Sequence, residues 1–177
     1  MFTIIDEKDG FWQIDLDEPS VLLCTFNSPF ERFSWKRLPQ GIKSEPEVFQ
    51  RKNDQLFGDI EEVSIIFDDI IIAAEVNEDD DRILRKVLQR ARETNVRFNN
   101  DKIQYKVSEV KFVGNIVSAE GLKPDPEKIG AINEMPTPQN KQGLQRLIGM
   151  LTYLSQFIPL MTTLDAPLRM LMVEDAI

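Results

Sequence analysis

The chain has 177 residues, 42% of them hydrophobic and 29% charged, and its 21 Lys and Arg against 30 Asp and Glu give a formal net charge of -9. That is globular material long enough for a sizeable core, and the acid excess stands against a phosphate-binding surface. With no histidine and a single cysteine, Cys24, it excludes Ser-His-Asp and Cys-His nucleophile systems, His-ligated metals, zinc clusters and internal disulfides. No apolar run approaches the roughly 20 residues of a membrane span, and no basic segment precedes an apolar stretch at the N-terminus. The expected setting is therefore intracellular, cytoplasmic or nuclear, with no membrane partner.

In chain order, Met1-Phe2-Thr3-Ile4-Ile5 reads as a strand running into Asp6. Residues 10–38, with Pro19, Pro29 and the run Leu22-Leu23-Cys24-Thr25-Phe26, read as strands and turns. Ser44-Glu45-Pro46-Glu47 predicts a helix start, with Ser44 as cap and Glu47 completing a capping box. Val48, Phe49, Leu56, Phe57 and Ile60 give that helix an apolar face. Val63 to Phe67 and Ile70 to Ala74 flank Asp68-Asp69, which predicts a buried hairpin with the acids at its turn. Residues 77–94 form the clearest helix, with Ile83, Leu84, Val87, Leu88 and Ala91 on one face, acids first and basic residues later. Strands follow over Val110–Gly114 and Ile116-Val117, up to the Glu120-Gly121 turn. From Lys123 the pattern is helical: one helix from Asp125-Pro126, a break at Pro136-Thr137-Pro138, another over 140–158, and a last one through Pro167 to Met172. The fold class is α+β, with a small all-helical part after residue 122.

What remains plentiful is carboxylate. Should the strand ending at Asp6 neighbour the hairpin, Asp6, Asp68 and Asp69 would meet at one sheet edge, a set of hard oxygen donors suited to Mg²⁺. On spacing alone a solvated Asp-Asp turn explains the pair first, and Asp9, Asp15 and Asp17 compete with Asp6 for the role.

Five segments then stand in a telling order. Ile5-Asp6-Glu7-Lys8-Asp9-Gly10-Phe11-Trp12-Gln13-Ile14 resembles motif A of retroelement reverse transcriptases. Trp35-Lys36-Arg37-Leu38-Pro39-Gln40-Gly41, with Pro46 and Phe49-Gln50 beyond it, is similar to motif B. Phe67-Asp68-Asp69 falls at the Tyr-x-Asp-Asp motif, and Val110-Lys111-Phe112-Val113-Gly114 matches the primer grip. Val117-Ser118 through Gly121 and Pro124-Asp125-Pro126 continue the pattern. Order and spacing resemble the RNA-directed DNA polymerases of gypsy-type long-terminal-repeat retrotransposons over essentially the whole chain.

The resemblance implies a polymerase palm, an antiparallel sheet with helices on one face, at 1–13 and 45–122. Residues 14–44 would be part of the fingers and 123–177 a helical thumb. It implies Asp6, Asp68 and Asp69 as ligands of two Mg²⁺, with Mn²⁺ an alternative, for nucleotidyl transfer from a dNTP to a primer 3′-hydroxyl. Phe11 would be the gate against a ribose 2′-hydroxyl, and Gln40 and Gly41 would border the incoming nucleotide. Lys102 would be a proton donor to pyrophosphate, and Val113 and Gly114 would hold the primer end. The implied partners are an RNA or DNA template with its primer, and dNTP.

Three positions depart from the pattern: Ile66 for the usual Tyr, Glu31 for Gly, and Glu45 for Ala or Ser. The two acids are expected to repel a template backbone. The chain opens at motif A, so the expectation is a truncated polymerase core without the preceding fingers, poorly active alone. Two alternatives stand beside it: an inactive retroelement remnant serving as an interaction domain, and an acidic scaffold or Ca²⁺ module. No Asp-x-Asp-x-Asp-Gly loop supports the last.

Overall fold

A computed structural model describes residues 1–172. The chain divides into two compact units, Met1–Val113 and Gly114–Ile177. The first is built on a four-stranded sheet in the order β4-β5-β1-β6, from strands β1 (Phe2–Asp6), β4 (Val63–Ile66), β5 (Asp69–Ala73) and β6 (Gln104–Val107). β1 and β4 both run antiparallel to β5, with Ile5 opposite Ile70, Thr3 opposite Ile72 and Asp6 opposite Asp69. Helices α2 (Glu45–Phe57) and α3 (Asn77–Thr94) pack on this sheet.

Side chains alternate along a strand, so Ile5, Ile70 and Ile72 share one face and meet the helices. They form a core with Phe57, Ile60, Ile83, Val87 and Ala91. Burying each large apolar side chain contributes roughly 1.5–3 kcal/mol. The α3 residues recur four apart, as the apolar periodicity predicts. Thr3 lies on the same face, and its hydroxyl donates to the buried Asp80 carboxylate of α3 at 2.9 Å. The first-turn acids of α3 thus do more than complement the helix dipole. Asp81 accepts from the Tyr105 hydroxyl at 2.5 Å and pairs with Lys106 at 2.8 Å.

Two expectations need correction. Residues 10–38 are not only strands and turns: a 3₁₀ turn occupies Gly10–Gln13 and a short helix, α1, spans Glu18–Leu23. Asp17 caps α1 by accepting from the Ser20 amide at 3.0 Å, with proline in the first turn. Cap chemistry outweighs the β-type look of Leu22-Leu23. The short strands β2 (Thr25–Asn27) and β3 (Arg32–Ser34) pair as a hairpin after it. The second correction concerns α2. Ser44 makes no side-chain cap bond; the Glu45 carboxylate instead folds back to accept the Gly41 amide at 2.5 Å. Glu45 is buried rather than displayed on a template-facing surface.

The first unit ends with β7 (Glu109–Phe112). In the second, β8 (Asn115–Ser118) and β9 (Gly121–Pro124) form a hairpin, followed by α4 (Pro126–Asn133), α5 (Lys141–Tyr153) and α6 (Met161–Met170). Asp125 and Asn140 cap α4 and α5 through the amides of Glu127 and Gly143. α5 packs on α6 with Leu144, Ile148, Leu154 and Met161 buried, and α6 runs through Pro167 as the sequence predicts.

Candidate active site

The sheet brings the carboxylates together by register. Asp6 is the last residue of β1 and Asp69 the first of β5, and they lie directly opposite one another. By alternation both point to the face away from the α2–α3 core. Asp68 is in the tight turn between β4 and β5, and its carbonyl accepts the Glu7 amide at 2.8 Å.

That turn is held in a left-handed conformation, Phe67 φ 54°, that is costly for a residue with a bulky side chain. Two α2 side chains clamp it. Gln50 accepts the Phe67 amide at 2.8 Å and donates to the Ile65 carbonyl at 3.1 Å, while the Asn53 amide donates to the Phe67 carbonyl at 2.8 Å. Asn53 is buried. Sequence reasoning assigned Asn53 nothing and took Gln50 only as part of a motif. The available signal was a pair of amide side chains three apart on the helix preceding the hairpin.

Asp6, Phe11, Gln40, Asp68, Asn99 and Lys102 line one cleft of about 470 Å³. Lys102 reaches it from the turn before β6, its ammonium 2.8 Å from Asp6 Oδ2. The Asn99 amide donates to the Asp6 carbonyl at 2.8 Å. Phe11 lies on the 3₁₀ turn, its ring centroid 4.6 Å from that of Phe49 in α2. Gly10 makes this approach possible, because a Cβ there would lie 2.5 Å from Phe49 Cζ. Gly41 follows Gln40 at φ 96°, a conformation that only glycine adopts without strain. Val113 and Gly114 are consecutive positive-φ residues, 49° and 71°, in the turn after β7.

The electrostatics are those of crowded acids. Glu7, 3% exposed, has its carboxyl pushed up to about 7, chiefly by burial, with a hydrogen bond to Asn53 opposing and the charges of Asp68 and Asp6 adding. Asp69 is raised by burial first, then by Asp68 and Asp6, with Lys102 opposing. The hydrogen bond to Asp6, then its charge, raises Lys102. Sequence reasoning missed Glu7, whose only signal was its place beside Asp6.

All of these donors are hard oxygens that repel one another, and Lys102 supplies a cation beside Asp6. A divalent ion fits that chemistry. As the side chains stand, no three Asp, Glu, Cys or His residues among those described surround one point.

Residues 1–117 match the family model described as reverse transcriptase (RNA-dependent DNA polymerase). The chain is 36% identical over 159 residues to the retrovirus-related Pol polyprotein from transposon opus of Drosophila melanogaster, covering 89% of this chain and 16% of that one. It is 30% identical over 177 residues to the enzymatic polyprotein of cauliflower mosaic virus, covering 99% and 26%. Among solved structures, the foamy viral protease-reverse transcriptase in complex with double-stranded DNA aligns with a TM-score of 0.91 at 25% identity, over 98% of this chain and 31% of that one. The same protein with an RNA/DNA hybrid aligns at 0.86, covering 98% and 24%. The chain thus spans between 16% and 31% of the length of these relatives. On the family model and the identities together, it belongs to the reverse transcriptase family.

Proposed function

We propose that the chain is the RNA-directed DNA polymerase core of a gypsy-type retrotransposon, transferring a nucleotide from dNTP to a primer 3′-hydroxyl on an RNA or DNA template. The observation that carries this is the register that sets Asp6 opposite Asp69, with Asp68 one residue away on the same cleft as Phe11, Gln40 and Lys102. On this reading residues 1–13 and 45–122 are palm, 14–44 part of the fingers and 123–177 thumb. The nucleic-acid partner is supported by the foamy viral complexes with double-stranded DNA and with an RNA/DNA hybrid.

Asp6, Asp68 and Asp69 would hold two Mg²⁺, or Mn²⁺, which when bound assist deprotonation of the primer hydroxyl and neutralise the departing pyrophosphate. Phe11, braced on Phe49, occupies the space of a ribose 2′-hydroxyl. The Gly41 backbone, fixed by Glu45, lets the nucleotide approach beside Gln40. Lys102 carries the proton delivered to pyrophosphate, and Val113 and Gly114 hold the primer end through backbone contacts, which carry no sequence preference.

Primer extension on poly-rA/oligo-dT with Mg²⁺ tests the reading. Incorporation is expected, and Asp68→Asn should abolish it; a variant extending at the parental rate overturns the assignment. A second reading, an inactive remnant kept for interactions, is favoured by the Lys102–Asp6 ion pair, which engages a proposed ligand. Silence of the intact chain with either metal supports it.

A further inference from the structure

The turn at residues 8–12 has a second side, with different chemistry from the carboxylate cleft. There Trp12 meets Trp35, which follows β3, with ring centroids 6.2 Å apart and planes at 37°. Phe26 extends the row, 5.6 Å from Trp35. The indoles are 53% and 41% exposed, and they line a cleft of about 380 Å³ with Lys8, Lys36, Arg37 and Arg97. One carboxylate, Asp9, shares the lining. Arg37 is engaged by Asp15 at 3.0 Å and by the Gln13 carbonyl at 3.2 Å. No ion pair among the described residues engages Lys8, Lys36 or Arg97.

In a chain with a net charge of -9, three unengaged cations around two exposed indoles are a local reversal of sign. The walls are also fixed. The Gln13 side-chain amide donates to the carbonyls of Lys8 at 2.7 Å and Arg97 at 2.9 Å, and its oxygen accepts the Arg97 amide at 2.7 Å.

We propose that this cleft takes an unpaired base of single-stranded nucleic acid, the base against the indoles and its flanking phosphates on Lys8, Lys36 and Arg97. Aromatic faces stack any base, and cations at the rim neutralise phosphates without reading sequence. A polypeptide covering the indoles would leave the three cations uncompensated unless it carried matching acids, whereas a nucleotide supplies ring and charge together. The inference rests on the polymerase reading for where the strand goes, since Lys8 and Trp12 also line the carboxylate cleft. Its recognition chemistry does not depend on catalysis.

The chain contains two tryptophans, Trp12 and Trp35, both on this cleft, so selectively excited tryptophan emission reports on it, and Trp35, which is absent from the carboxylate cleft lining, separates the two. Titration of the full chain with single-stranded dT12 should quench emission saturably, and acrylamide should quench the free protein but not the saturated complex. Trp35→Leu, followed by anisotropy of a labelled dT12, should weaken binding about tenfold. Lys36→Ala with Arg97→Ala, both exposed positions, should weaken it comparably and lower the salt dependence. Asp68→Asn should abolish primer extension yet leave the quench intact, so failure of the polymerase reading and failure of this one are distinguishable. Three results overturn the proposal: dT12 binding without quenching, equal quenching by inorganic polyphosphate, or indoles already shielded from acrylamide in the free chain by other protein surface.

Discussion

Replacing Glu7 by Gln should stabilise the chain, increasingly as pH rises from 4.5 to about 7 and in full above it. Glu7 is 3% exposed, with Oε1 lacking a hydrogen-bond partner and Asp6 and Asp68 close by. These surroundings push its carboxyl from an ordinary 4.5 to about 7. Because the folded value lies above the unfolded one, the folded chain keeps a proton that the unfolded chain releases between those limits. Stability is therefore lost as pH rises from 4.5 through 7. Once complete, the loss is on the order of 3 kcal/mol. Gln fills the same volume and never ionises. In urea unfolding with EDTA present, parent and Glu7→Gln should agree within about 1 kcal/mol at pH 5, with the variant about 2–3 kcal/mol more stable at pH 8.5. Parallel stability curves across that range would refute the reasoning.

Thr3→Val should cost about 2–4 kcal/mol in chemical denaturation, because it strips the buried Asp80 carboxylate of its donor and the Lys106 amide of its acceptor. An Asp80→Leu partner change that recovers most of the loss would check that unpaired charge is the cause. Gly10→Ala should lower the melting temperature through overpacking, about 1–3 kcal/mol, since its Cβ would press the buried Phe49 ring; Phe49→Leu in the same background should relieve it. Phe11→Ala should raise ribonucleotide incorporation relative to deoxynucleotide in single-nucleotide extension, and an unchanged ratio removes Phe11 from the gate. Lys102→Ala should slow extension at least about tenfold and also lower stability in urea unfolding, because it leaves the buried Asp6 carboxylate without its cation.

Long periodic elements were legible in the sequence. The 77–94 helix coincides with α3, and the two β-branched runs form the hairpin that carries Asp68 and Asp69. The juxtaposition of Asp6 with that hairpin was conditional on strand order, which periodicity does not encode; the β1–β5 register supplies it. α1 was missed although Asp17 ahead of Glu18-Pro19 is a helix start, because apolar pairs such as Leu22-Leu23 suit a strand equally well. The edge strand β6 was missed because Gln104-Tyr105-Lys106-Val107 is short and broken by the positive φ of Lys106. Several of the acids have side-chain partners: Asp59 with Arg90, Asp79 with Arg82 and Asp80 with Thr3. Side-chain pairings of this kind lie 3 to 77 residues apart, and only the fold reveals the distant ones.

The clamp that α2 places on the Phe67 turn has a mechanical consequence. Glu45 at one end of the helix fixes the Gly41 backbone, and Asn53, two turns further on, fixes the residue beside Asp68. Eight residues of helix make a strut about 12 Å long that stretches far less readily than a loop. Inserting or deleting one residue between those anchors would shift them by about 1.5 Å and rotate one against the other by about 100°. Length variation in this stretch of chain is thus excluded from the interior of α2, and point changes at Gln50 or Asn53 should be felt at both of its ends.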